Sequence, residues 1–314
     1  MNIKPIIPFE PVASEKIPIG PEWIFQIKWD GVRILSYFDG QEVKLYNRKL
    51  NDRTKIFPEL TDMKSYMSAD SIILDGEVIA LDSNGNPSFH EVMKRDGIRR
   101  VERVEKVTQE VPIFYMIFDI IYINGKWTCD DPLEERLKVL HETIRPNPTI
   151  QLVPVEKDGE ALFEVVKQHG LEGVVCKNLN SKYTINAKNA NWLKVKNYRD
   201  VIAIIGGVTY RDGIVNSMLL GLYDEDEQLQ FIGHAGTGKL TREEWLTFTR
   251  AIEPLKIHKQ PFLNNPPRIK DVQWLQPILT VKVQFIEWPK GHSLRQPSIQ
   301  AFVSQDPKSC RIQE

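Results

Sequence analysis

A lysine amine attacks phosphorus or carbon only after losing its proton, so a nucleophilic lysine has to sit where burial or neighbouring positive charge lowers a pKa that is ordinarily about 10.4. The stretch Phe25-Gln26-Ile27-Lys28-Trp29-Asp30-Gly31-Val32-Arg33 offers such a residue. Trp23, Phe25 and Ile27 alternate there with Ile24, Gln26 and Lys28, so a strand over residues 22–28 puts Gln26 and Lys28 on one face, with Trp29 and the apolar strand to desolvate the amine. An isolated lysine at a strand end is usually just exposed. The case therefore rests on what else the chain supplies, in what order.

Stepping along the sequence, residues 32–38 and 42–48 flank Asp39-Gly40, a hairpin turn signal, and Asn47-Arg48-Lys49 follows the second arm. Phe57-Pro58-Glu59-Leu60 opens a short helix. Residues 71–82 read as a strand with Asp75 and Glu77 on the side of Ile73 and Ile79, where carboxylates need a partner such as a hydroxyl, a metal or a basic group. Residues 111–123 form an apolar strand containing Phe118-Asp119, broken by Asn124-Gly125. A helix starts at Asp131 as cap with Pro132 at its first position, and Leu133, Leu137, Leu140 and Ile144 make its buried stripe. A second runs over residues 159–169 to Gly170, with His169 a favourable charge at its C-terminus. Residues 171–177 are again a strand, with Cys176 in packing. From Lys177 to Arg199 there are six basic residues, Lys177, Lys182, Lys188, Lys194, Lys196 and Arg199, and no acidic one. In Trp192-Leu193-Lys194-Val195-Lys196 the two lysines share a strand face, a clamp for charge on a phosphorus centre.

Lys28, Asp30, Gly31 and Arg33 form K-x-D-G-x-R, which resembles the signature of the covalent nucleotidyltransferases, the ATP-dependent DNA ligases and mRNA capping enzymes. Further segments resemble ligase motifs in family order: Arg48 where the arginine of S-R-x-G stands, with Asn47 and Leu50 in place of Ser and Gly; L-D-G-E ending at Glu77; Phe118-Asp119; Glu172 to Lys177 as E-G-x-x-x-K; and W-L-K-V-K at 192–196. The likeness is to the compact bacterial or phage ATP-dependent DNA ligases and the ligase module of bacterial end-joining enzymes, without an N-terminal DNA-binding domain. It implies Lys28 as nucleophile, nucleotide contacts from Gln26, Ile27, Arg33, Arg48, Glu77, Phe118, Lys177, Lys194, Lys196 and Arg295, and metal binding by Glu172 and Glu77. Phe118 would stack on the base and Gln26 would read the adenine amino group. Arg295 lies in a segment resembling L-R-x-P. The final family motif, R-x-D-K, is not cleanly present in Val303-Ser304-Gln305-Asp306-Pro307-Lys308, and Arg295 or Lys308 would take over its contacts.

The chain of 314 residues has a net charge of -1 from 41 basic and 42 acidic residues, so any nucleic-acid surface is a local patch. Its 41% hydrophobic and 26% charged composition is that of an ordinary globular protein. Cys129, Cys176 and Cys310 are odd in number and lack metal-ligand spacing, which argues against a disulfide framework or a zinc site. Prolines interrupt the first twenty residues, so no signal peptide is expected, and no run is long enough to span a bilayer. Beyond residue 198 short strands at 201–208, 217–223, 229–232 and 281–288 suit a small antiparallel barrel. Gly233 to Lys239 imitates a P-loop, but Leu240 stands where a hydroxyl should hold magnesium, and Thr241 with Glu244 reads as a capping box.

The expected fold is α+β: a nucleotidyltransferase (adenylation) domain of antiparallel sheets with flanking helices over 1–198, then a smaller OB-fold β-barrel domain over 199–314. By the resemblance, the cofactors are ATP and Mg2+, or Mn2+, and the barrel closes over the nucleotide and later the DNA. The partner is nicked double-stranded DNA, with an end-binding or repair protein as a second. A cytoplasmic, nucleoid-associated monomer with no membrane contact is expected. The alternatives are a capping-type guanylyltransferase or RNA ligase, and a non-catalytic nucleic-acid-binding adaptor of the same fold.

Overall fold

Along the paired strands Val32–Phe38 and Ile72–Ala80 the side chains part by parity, as pleating requires. Ile34, Leu74 and Val78 enter the main apolar core, while Leu35, Tyr37 and Ile73 enter another on the opposite face, the face that also carries Arg33, Asp75 and Glu77. One strand face thus folds the domain and the other is left for chemistry.

The computed structural model describes residues 4–236, 238–267, 270–289 and 291–312. The chain divides into two compact units, Met1–Asn197 and Tyr198–Glu314. In the first, a six-stranded sheet has the order Val43–Asn47, Val32–Phe38, Ile72–Ala80, Ile113–Ile123, Lys126–Trp127, with Ile150–Leu152 parallel to Ile113–Ile123. The helices Phe89–Asp96, Val104–Glu110 and Leu133–Thr143 bury Val92, Val104, Val107, Leu133, Leu137 and Leu140 in the core beside it. A four-stranded sheet has the order Glu10–Ala13, Lys188–Lys196, Gly173–Asn178, Trp23–Ile27. Leu162 and Val166 of the helix Gly159–Gln168 pack there with Phe25, Val174, Cys176 and Val195.

In the second unit the long strand Arg199–Arg211 pairs with Ile214–Tyr223 on one side and with Thr280–Phe285 and Gln273–Leu275 on the other. Leu229–Ala235 continues one edge and Ser298–Val303 the other. A parallel bridge between Gly238 and Ile299 joins these edges and closes a five-stranded barrel. This is the OB-fold, with the helix Arg242–Ala251 between its third and fourth long strands. The Thr241–Glu244 capping box is present, so that part of the P-loop imitation is a helix start; Thr237 lies outside the described residues. Among the described residues no helix is long and apolar enough to cross a membrane.

Two details differ from the sequence reading. Pro132, with Leu133 as the first helical residue, is itself the cap of Leu133–Thr143, and Asp131 makes no side-chain cap; its backbone carbonyl instead accepts from Arg136 at 2.8 Å. The strands Glu10–Ala13 and Ser298–Val303 and the helices Phe89–Asp96 and Val104–Glu110 were not foreseen. The Phe89 helix did carry a signal, since Ser88 accepts from the Glu91 amide in an S-x-x-E pattern.

Asp119, on the strand behind Phe118, is fully buried and bound twice by Arg136, at 2.8 and 2.9 Å, and Arg136 also reaches the Ser181 carbonyl at 2.9 Å. Arg136→Ala should therefore cost the first unit about 3–5 kcal/mol by stranding a dry carboxylate. Urea unfolding followed on that unit checks this; a loss under about 1 kcal/mol would show that the carboxylate finds water or another partner.

Candidate active site

The K-x-D-G-x-R segment is where the chain leaves one sheet of the first unit and enters the other. Lys28 closes the Trp23–Ile27 strand, its amide donating to the Gly173 carbonyl at 2.9 Å, and Val32 begins the next strand. A Cβ on Gly31 would stand 2.1 Å from the Val78 carbonyl oxygen, so only glycine permits the crossing. Gly173 has φ +154 and would place a Cβ 2.2 Å from the Val195 carbonyl oxygen, so the neighbouring strands also require glycine there.

Between the sheets lies a cleft of about 530 Å3. One wall presents Gln26, Ile27, Lys28, Lys177, Trp192 and Lys194; the other presents Arg33, Glu77 and Phe118; Arg48 and Lys49 reach it from the loop after Val43–Asn47. Every nucleotide-contact residue foreseen in the first unit lines this cleft except Lys196, which acts on it through Glu172. Arg295 belongs to the second unit, where its Nη1 faces the Glu287 carboxylate at 3.4 Å. Lys308 is exposed in a short turn in which Asp306 accepts from its amide at 3.0 Å. Sequence reasoning missed Trp192 and Lys49 as lining residues.

Glu172 is buried and holds two ammonium groups, Lys28 Nζ at 2.5 Å from Oε2 and Lys196 Nζ at 3.5 Å from Oε1. Burial lowers the Lys196 pKa against the pull of Glu172. It lowers that of Lys194 too, helped by Lys196, Lys188 and Lys28. Lys177 is pushed down to about 7, chiefly by burial, although Asp119 and Asp75 pull it the other way. Its Nζ sits 4.2 Å from the ring centres of both Phe118 and Trp192. Glu77 is pushed up to about 7, again by burial first, with Lys28 and Arg33 opposing and Glu172 and Asp75 adding to it.

Arg33 is less available than the sequence suggested. Its Nε and Nη2 grip Asp75 at 2.9 and 2.6 Å, and Tyr183 donates to the same carboxylate at 2.7 Å. Among the described residues this leaves Nη1 as its free edge. The guanidinium lies 5.4 Å from the Phe118 ring centre, so Phe118 is in cation–π range of both Arg33 and Lys177.

Gln26 is buried, its Nε2 donates to the Val153 carbonyl at 3.2 Å, and its Oε1 has no partner among the described residues. An unmet buried acceptor in a cleft wall calls for a donor from outside. The loop bearing Arg48 and Lys49 is built by Asn47, whose Oδ1 accepts from the amides of Lys49 and Asn51, both at 3.0 Å. Leu50 takes φ 62, the conformation for which a glycine would be the easy choice. Arg48 faces Glu10 at 3.4 Å.

A family model described as ATP dependent DNA ligase domain matches residues 13–196, and one described as ATP dependent DNA ligase C terminal region matches residues 211–304. The chain is 32% identical over 285 residues to the multifunctional non-homologous end joining DNA repair protein LigD of Mycobacterium tuberculosis (strain ATCC 25618 / H37Rv), covering 88% of this chain and 35% of that protein. It thus spans about a third of the length of that relative. It is 40% identical over 202 residues to the SPbeta prophage-derived DNA ligase-like protein LigB of Bacillus subtilis (strain 168), covering 63% of this chain and 70% of that protein. The solved structure of mycobacterial DNA ligase D complexed with ATP and MES matches over 98% of both chains, with 27% identity and a TM-score of 0.53. With the first family model matching more than half of the chain and the second following it in order, the chain belongs to the ATP-dependent DNA ligases.

Proposed function

We propose that this chain seals nicks in double-stranded DNA through a lysyl-AMP intermediate on Lys28, in DNA repair, recombination or end joining. The observation that supports this most is the pairing, on one strand face, of Lys28 with the unmet acceptor of Gln26. Lys28 attacks the α-phosphorus of ATP, forming a nitrogen–phosphorus bond as the bond to pyrophosphate breaks. Glu172 Oε2, in contact with Nζ, is placed to take the ammonium proton. AMP then passes to the 5′-phosphate of the nick, and the 3′-hydroxyl displaces it to close the strand. Lys194 and Lys196 neutralise charge on the phosphorus oxygens, and Arg33 Nη1, Arg48 and Ile27 complete the nucleotide contacts.

Glu172 and Glu77 fit a divalent cation. Glu77 lines the cleft and Glu172 is close enough to oppose its ionisation, and Mg2+ is bound by one or two carboxylates together with phosphate oxygens. Mg2+, or Mn2+, would supply further charge neutralisation at the phosphates. In our reading an end-binding or repair protein recruits the enzyme, as the end-joining relative suggests. A guanylyltransferase or RNA ligase would share the lysine chemistry; a fixed acceptor at Gln26 favours adenine over guanine, and the DNA ligase family matches favour DNA over RNA.

Incubation with labelled ATP or GTP tests this. AMP should be retained covalently and GMP not, Lys28→Ala should remove all label with the fold intact, and the wild type should seal nicked DNA. Preferential GMP labelling, or label surviving in Lys28→Ala, would sink the assignment. A second outcome concerns pH. In the metal-free cleft Glu77 sits near 7, so below that value protons compete with the cation for it and adenylation at limiting Mg2+ should lose rate on the acid side. Glu77→Gln should be slow at all pH and lack that limb; an unchanged acid limb in the variant would assign it to another group.

A further inference from the structure

Just past the helix Phe89–Asp96, Arg99, Arg100 and Arg103 are exposed, and none has a side-chain partner among the described residues. This sets them apart from the cations around them. Lys94 is held by Glu91, Arg95 by Glu59 and Lys106 by Glu110. Glu102 and Glu105 are near in sequence, yet neither is engaged by the three arginines.

The segment is held in a fixed shape. Ile98 packs on the main core before it, and Val104 and Val107 are buried in that core after it. Between them Arg100 caps a short 3-10 turn, Val101–Arg103, with the Arg103 amide bonded to the Arg100 carbonyl at 3.1 Å. The hydrogen bond that closes the turn keeps Arg100 and Arg103 at its two ends, a single turn apart. The turn is also tied to the cleft. Asp96 lines the cleft and binds Arg53 Nε at 2.7 Å, which pins the helix end to the loop carrying Arg48 and Lys49. Arg99 follows Asp96 by three residues, at most about 10 Å of chain.

Three exposed, unpaired guanidinium groups within a few residues of a cleft-lining side chain match the phosphate backbone of a duplex, which carries one charge per about 1.7 Å of axis. From this geometry we infer that Arg99, Arg100 and Arg103 form a backbone-binding strip that holds duplex DNA beside the nick. The inference rests on the DNA-ligase reading of the cleft. The strip meets phosphates, so it sets position and affinity and is indifferent to base sequence.

The test uses the full chain, direct binding to a nicked duplex over a salt series, and separate measurement of lysyl-AMP formation. With all three arginines changed to Gln, adenylation by ATP should match wild type, affinity for the nicked duplex should fall, and the slope of log affinity against log salt should become shallower by about 0.9 for each phosphate that is no longer neutralised. Arg99→Gln alone, outside the turn, should shift the slope by about one such step. Lys at all three positions should restore most of the slope. Unchanged binding and slope in the Gln variants, or an equal weakening with Lys, would overturn the strip. A wild type that forms no lysyl-AMP would instead sink the ligase reading, and the two failures are distinguishable because binding is read without ligation.

Discussion

Everything in the cleft depends on how a small buried space tolerates so much positive charge before a polyanion arrives. Glu172 supplies the main answer, one buried carboxylate shared by Lys28 and Lys196. Asp75 does the same for Arg33, with Tyr183 completing its hydrogen bonds. Among the described residues Lys177 has no carboxylate within bonding distance and rests instead between two aromatic faces and the Phe118 carbonyl at 3.4 Å. Burial wins at Lys177, Lys194 and Lys196, all displaced downward, so each is a cation kept at a cost that phosphate oxygens would offset. A buried ion pair is weak evidence of stability, because desolvation takes back most of the attraction. Its value here is geometric, since Glu172 fixes where the Lys28 amine points.

That geometry follows from strands whose two faces have different duties. Leu193 and Val195 pack toward the helix Gly159–Gln168, so Trp192, Lys194 and Lys196 are turned the other way. A one-residue slip in register would exchange the faces and bury the lysines in the apolar layer. Gly31 and Gly173 protect the arrangement from the backbone side, each sitting where a carbonyl approaches too closely for any side chain.

What the sequence disclosed and what it withheld divide by range. Alternation around Gln26 and Lys28, the pairing of Lys194 with Lys196, and the Thr241–Glu244 box are local patterns, and local patterns survive in the chain itself. The lock on Arg33 is not local, for Asp75 is 42 residues away and the Tyr183 hydroxyl 150. No periodicity could announce that the motif arginine would be spent on a buried carboxylate. The strand Glu10–Ala13 was hidden for a related reason. It is short, contains Pro11, and exists only because Lys188–Lys196 offers it a parallel edge. Arg295 was reached from a sequence likeness alone, and within its own unit it faces Glu287.

The preference for adenine proposed for this cleft would have a physical source that reaches beyond Gln26. A primary amide can in principle present either its oxygen or its nitrogen to a base, and so meet the amino group of adenine or the carbonyl of guanine. Here the Val153 carbonyl takes the nitrogen at 3.2 Å. Rotating the amide would set oxygen against oxygen and leave two buried acceptors unmet, a loss of about 1–3 kcal/mol for each. On the proposed reading, then, selectivity is set by a backbone carbonyl on the loop after Ile150–Leu152, which removes the choice that the glutamine side chain would otherwise have.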